Sequence, residues 1–96
     1  MKLLLITYAG ASPEHVRHAL ESHGAGGFTE VDDARGAGRG GRVEGSRAWP
    51  GTASLFLTAI PSDKADSLTQ ALRSCAARCE PGERLHVATL PVESFF

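Results

Sequence analysis

The residues with the clearest chemical potential stand between Arg35 and Arg47. Four arginines, Arg35, Arg39, Arg42 and Arg47, meet one acid, Glu44, and are spaced by glycines. A guanidinium offers forked donors that match carboxylate or phosphate oxygens. Glycine lets backbone amides approach such a ligand closely. The segment Gly24 to Thr52 holds nine of the chain's eleven glycines. It begins with one strand-like run, Phe28 to Ala34, and its remainder, residues 36–52, reads as no packed element. Unstructured stretches this long in small domains are functional or disordered. The composition therefore admits two readings: a mobile anion-attracting loop, expected to move most at 39–48, or a surface connection with solvated charges. Trp49, before Pro50-Gly51, either anchors the return of this loop or meets a partner.

Other groups could bind metal. Cys75 and Cys79 are four apart, a spacing at which two thiolates can share a soft ion. A disulfide is disfavoured, since helical β-carbons at that spacing exceed the ~3.8 Å it requires. The plainer reading is a pair of small buried hydrophobes. His15 and His18 read as solvated helix residues, His23 as a helix-end residue, and His86 as packing on a strand or as a third ligand.

Several chemistries are excluded. The chain has no asparagine, so it cannot carry the arginine-asparagine site of an acylphosphatase. No CxxC follows the first strand, where Ala9-Gly10-Ala11-Ser12 stands. The strand TASLFLTAI lacks the basic and aromatic residues that stack bases in RNA-recognition motifs. No GxSxG, phosphate-loop or zinc-finger spacing occurs. No nucleophile, base and orienting group can be assembled, so an enzyme is not expected.

The elements that must position these residues follow from periodicity. Lys2 to Tyr8 is apolar on both faces, as in a strand covered on both sides. Ser12 and Pro13 suit a helix start. Val16, Ala19, Leu20 and His23 then trace one helical face, and Gly24 stops it. Ala53 to Ile60 alternates as a strand. Ser62 or Asp63 caps a second helix, whose expected buried stripe is Ala65, Leu68, Leu72, Cys75, Ala76 and Cys79. Pro81 ends it, and Arg84 to Leu90 is the last strand. The order βαββαβ with right-handed crossovers predicts an α+β, ferredoxin-like domain: a four-stranded antiparallel sheet with both helices on one face. The doubly apolar central strands would then leave one apolar face bare, which predicts a homo-oligomer.

A chain of 96 residues with a formal net charge of -1 is one domain. Its charge balance points to no nucleic acid and no membrane insertion. The apolar run Leu3 to Ile6 is too short for a signal-peptide core, so the expected location is cytoplasmic.

With these residues laid out, the chain resembles the PII signalling family in a short, divergent form. The resemblance runs from the first strand to Glu93. It rests on GAGGFTEVDDARGAGR, Gly24 to Arg39, with its arginine-glycine-x-glycine-arginine run, and on LPVE, Leu90 to Glu93. It implies a homotrimer with its sheets packed around the threefold axis. It implies that Arg39 to Pro50, within a glycine- and arginine-rich segment at about 36–52, is the T-loop. Arg42, Glu44, Arg47 and Trp49 would there touch a protein target such as a membrane transporter or a metabolic enzyme. It also implies a ligand cleft between subunits. Gly27, Phe28 and Thr29 match positions that hold an adenine base, and Gly36, Gly38 and Arg39 match positions near phosphates.

The chain departs from the family after the second helix, where Cys79-Glu80-Pro81-Gly82-Glu83-Arg84 replaces a glycine-rich phosphate loop. Gly82 and Arg84 remain. Ser94, Phe95 and Phe96 stand where the family has a basic segment. AMP, ADP or a small anion is therefore expected as effector ahead of ATP, held by Arg35, Arg39 and Arg84, with Arg17 as an uninvolved control. No cofactor is obligatory. The alternative is a metal-binding trimer using Cys75, Cys79 and His86, related to the divalent-cation-tolerance family.

Overall fold

A computed structural model of the chain describes residues 1–38, 41–43 and 53–96. Strand β1 (Lys2–Ala9) is followed by helix α1 (Glu14–Ser22), strand β2 (Thr29–Ala34) and two short strands, β3 (Gly36–Gly38) and β4 (Gly41–Val43). Strand β5 (Ala53–Ile60), helix α2 (Ser62–Ala77) and strand β6 (Arg84–Pro91) complete the order. The main sheet has four strands in the order β2-β5-β1-β6, and its pairs are antiparallel. This is the expected βαββαβ arrangement, with β1 and β5 at its centre.

Alternation along the central strands sorts side chains to two faces. Leu4, Ile6 and Tyr8 of β1 and Phe56 and Ile60 of β5 are buried with Val16, Ala19 and Leu20 of α1 and Ala65, Leu68 and Leu72 of α2. Both helices therefore close over one face. Fully burying a side chain such as Leu4 or Phe56 contributes about 1.5–3 kcal/mol, and this cluster is the main source of stability. Thr58, also on the buried face, donates its hydroxyl to the Gly27 carbonyl at 2.7 Å. The inward polar group is thus satisfied and the chain before β2 is tied to the sheet.

The other face is bare. Its register sets Leu3 beside Ala59 and Leu90, Leu5 beside Leu57 and Ala88, and Thr7 beside Leu55 and His86. Val31 and Leu90 are exposed. The apolar sheet face expected from the sequence is present, and no described element covers it.

Some local expectations change. Neither helix has a side-chain cap: α1 begins after Pro13 and α2 after Pro61. The Ser12 carbonyl accepts from the His15 amide instead, while Ser62 Oγ accepts from the Met1 amine. The buried stripe of α2 ends at Leu72; Cys75 is only half-buried, Ala76 is exposed, and Cys79 lies beyond the helix. Residues 36–38 and 41–43, read as loop, pair as an antiparallel ribbon. Strand β2 is irregular between Val31 and Ala34, and there Asp33 adopts φ +59°, the signature of a bulge.

Candidate functional site

The base-side candidates lie where the chain enters edge strand β2. Phe28 is half-buried, its ring 6.2 Å from that of Phe56 at 53°. Thr29 is exposed and pairs with Leu57. A methyl group added at Gly26 or Gly27 would meet nothing within 4 Å. This is a flat, open ledge whose backbone is held from behind by Thr58.

A second support comes from α1. Arg17 grips Glu30 of β2 with two parallel bonds, Nε to Oε1 at 2.6 Å and Nη2 to Oε2 at 2.8 Å. The guanidinium holds the Glu30 carboxyl below the usual carboxylate range. Asp32 is pushed up, chiefly by its hydrogen bond with Glu30 and then by that group's charge. Arg17, expected to be uninvolved, therefore braces the strand that carries the ledge and is no neutral control.

The arginine candidates occupy one end of the sheet. Ala34 pairs with Ala53, Ala53 with Ala9, and Ala9 with Arg84. Arg35 follows Ala34 directly and is exposed. Ala34 and Arg84 thus share one level on opposite edges, separated by three inter-strand spacings, roughly 14 Å, and Arg35 stands one residue beyond. To share one small anion within a single copy, both arginine side chains would have to extend fully across the two central strands. Gly36 and Gly38 are in β3, and Arg42 is in β4 opposite Ala37. Arg39, Glu44, Arg47 and Trp49 lie outside the described residues, as does most of the 39–48 loop expected to be mobile.

Gly82 forms the turn that delivers Arg84. The Glu83 amide donates to the Glu80 carbonyl at 2.9 Å, and Gly82 has φ +94°. Proline at the second position and a positive φ at the third mark a type II turn. Glu83, which precedes Arg84, has partners across the fold. It faces the helix side, where the Tyr8 hydroxyl donates to its Oε2 at 2.5 Å and the Glu80 amide to its Oε1 at 2.9 Å. The Ser12 amide donates to the Tyr8 hydroxyl at 3.0 Å. Burial and the bond to Glu83 push the Tyr8 phenol up to about 12, and the bond from Tyr8 holds Glu83 low. Gly10 makes room for this latch, since a methyl there would overlap the Tyr8 oxygen. Sequence reasoning misses both the latch and the Arg17 brace, because each pairs residues from different elements.

The metal alternative does not assemble. Cys75 and Cys79 line a groove on the helix side, whereas His86 is exposed on the bare face. The Cys79 thiol donates to the Cys75 carbonyl at 3.7 Å, and burial raises its pKa. Among the described residues no three histidine, cysteine or acidic groups converge.

Comparison with solved structures places this geometry in context. CPII, a nitrogen regulatory PII-like protein from Thiomonas intermedia K12, solved bound to ADP, AMP and bicarbonate, superposes with a TM-score of 0.72. The two are 22% identical over 97% of this chain and 88% of that one. The fold is that of the PII-like proteins. The apo form of CPII gives a TM-score of 0.64 at 19% identity, over 95% and 89% of the two chains. A protein described as PII-like and signalling, from Thermus thermophilus, gives 0.66 at 20% identity, over 93% and 83%. No family model and no curated protein matches the sequence. Among the described residues no helix is long and apolar enough to cross a membrane.

Proposed function

We propose that this chain is a PII-like regulator rather than a catalyst. It works in the cytoplasm as a homotrimer, takes AMP, ADP or a small anion such as bicarbonate between subunits, and signals to a protein target through residues 36–52. The observation that carries this reading is the split of the candidate site. Arg35 and the Gly27–Thr29 ledge occupy one sheet edge, and Gly82 and Arg84 occupy the other. A compact site using both halves is completed most directly by the β2 edge of one copy beside the β6 edge of the next. The bare apolar face supplies the driving force for that assembly. The effectors bound to CPII, on a fold shared along nearly the whole chain, support the ligand class.

Glycine amides and arginines together form an anion-binding concavity. A monophosphate or bicarbonate carries less charge for the arginines to balance than a triphosphate does. Glu80, exposed beside Gly82, further disfavours the more highly charged ligand.

Light scattering and calorimetry test the reading. The expected result is a trimer that binds AMP, ADP or bicarbonate, with ATP weaker. A monomer at micromolar concentration, or a trimer that binds none of these anions, would overturn it.

A further inference from the structure

The end of α2 brings the chain's two cysteines together without burying either. Cys75 is on the last turn of the helix and Cys79 lies two residues past its end. Both are half-buried and line the groove between α1 and α2, a cavity of about 780 Å³ open to solvent.

The spacing argument against a disulfide holds only where both residues are helical. Four residues apart on a helix, α-carbons are about 6 Å from each other, within the range a disulfide tolerates. What the helix forbids is the approach of the β-carbons. Here Arg78 ends the helix at φ −101°, ψ 8°. The Cys79 amide reaches only the Ala76 carbonyl, three residues back, at 3.3 Å. By giving up that one bond, Cys79 can turn its β-carbon toward Cys75 while the helical ladder stays intact.

The two sulfurs are not equivalent. Arg78 Nη2 donates toward Cys75 Sγ at 4.0 Å, which sets a cation beside that sulfur. The Cys79 thiol donates to the Cys75 carbonyl at 3.7 Å. Burial, and then the charge of Glu83, hold its proton on. Cys75 is the sulfur placed to attack, and Cys79 the one placed to resolve. Cys79 also begins the segment that carries the latch. The next residue, Glu80, gives its amide to Glu83 Oε1, and Glu83 Oε2 holds the Tyr8 hydroxyl.

We propose that Cys75 and Cys79 form a thiol–disulfide site that takes a low-molecular-weight disulfide as oxidant, and that closing their bond opens the Tyr8–Glu83 latch. The Cys75 thiolate attacks one sulfur of the reagent, whose S–S bond breaks as one thiolate leaves. The Cys79 thiolate then attacks the Cys75 sulfur of the mixed disulfide and displaces the second. Each protein thiol gives up its proton to a departing thiolate. Two protein thiols and one reagent disulfide thus become one protein disulfide and two reagent thiols. The bond draws Cys79 back toward α2, and Glu80 and Glu83 move with it. Nothing in this step requires the trimer or its ligands. In a reducing compartment such a bond is transient and sensing rather than structural.

Tyr8 is the chain's single tyrosine, so tyrosinate absorbance against pH reads the latch alone. The experiment treats the full chain with oxidised glutathione and maps the products by mass spectrometry. Wild type should lose two hydrogens through a Cys75–Cys79 bond, and Cys79→Ser should stop at a glutathione adduct on Cys75. The Tyr8 midpoint should fall from about 12 toward 10 in the oxidised protein and recover on reduction. The Cys75→Ser/Cys79→Ser variant, given the same oxidant, should keep the midpoint of the reduced wild type. A wild type that stops at glutathione adducts, or that links one copy to another, overturns the proposal. So does an internal bond that leaves the Tyr8 midpoint where it was, or an equal fall in the variant without thiols. If reduced wild type already titrates near 10, the latch is absent and the proposal falls with it.

Discussion

On the helix side of the sheet, Tyr8, Ser12, Glu80 and Glu83 close a set of mutual hydrogen bonds over a packed core. On the opposite side, Leu3, Leu5, Leu55, Leu57 and Leu90 form an apolar face that no described element covers. The same alternating strands build both. The difference separates two kinds of information: inward positions on β1 and β5 specify the fold of one copy, while outward positions are the ones the proposed assembly would use. The candidate ligand residues lie outside the central strands, with Gly27, Phe28, Thr29 and Arg35 at one sheet edge and Gly82 and Arg84 at the other.

The strongest way to break this contrast is to substitute adjacent residues of β5. Phe56→Ala, on the closed side, should cost about 3–5 kcal/mol of stability, read from denaturant unfolding. Leu57→Asp, one residue on, should leave the copy folded by circular dichroism and abolish the oligomer in light scattering. If Leu57→Asp leaves the oligomer intact, the bare face is not the contact surface.

Next in size is Arg84→Ala. A charge-assisted bond contributes about 1.5–3 kcal/mol, so bicarbonate or AMP affinity should drop roughly tenfold to a hundredfold. Arg73, exposed on α2, is the control in place of Arg17, and Arg73→Ala should change nothing. An equal response of the two variants would show a diffuse charge effect rather than a site.

A pair of glycine substitutions sharpens the contrast further. Gly10→Ala drives a methyl toward the Tyr8 oxygen and must open the latch, costing about 1–3 kcal/mol as a lowered unfolding midpoint. Gly27→Ala meets open space, so its stability should be unchanged while AMP binding weakens. Reversed outcomes would exchange the roles assigned to the two positions.

The smallest effect is on pH dependence. The Tyr8 phenol is raised from 10 to about 12; the folded state holds its proton more tightly, so this contribution is complete below pH 10 and disappears as pH rises toward 12. Glu83 is lowered from 4.5, so its contribution is present above that value and fades as pH falls below it. Tyr8→Phe should flatten both limbs of the unfolding midpoint against pH. An unchanged alkaline limb would mean that the latch does not form.

The elements are legible in the sequence because burial imposes periodicity. Ala53–Ile60 can be read to the residue, since its two faces meet different surroundings on every step. The central placement of β1 and β5 follows from right-handed crossovers in the βαββαβ order. Helix ends are less legible. Proline rather than a side-chain cap precedes each helix, and the last apolar positions of α2 run past the core. The ribbon of β3 and β4 escapes sequence reading because Gly36–Gly38 and Gly41–Val43 carry almost no side-chain pattern. Within the site, Gly27, Phe28 and Thr29 come from a local motif. The latch joins positions 75 residues apart and leaves no local trace, and His86 cannot be assigned to a face without knowing which side the helices take.

The bulge in β2 bears on how copies of this chain can add to one another. Strand edges are templates for further strands, and proteins blunt them with charge and irregularity. Here Glu30, Asp32 and Asp33 crowd one edge strand, and the φ +59° kink at Asp33 throws its ladder out of step before Ala34. An incoming strand would meet carboxylates and a broken run of donors. In the proposed assembly the bare apolar face would therefore draw copies together without letting their sheets merge, which favours a closed ring over an open-ended fibre even though no described strand pairs with the outer edge of β2 or β6.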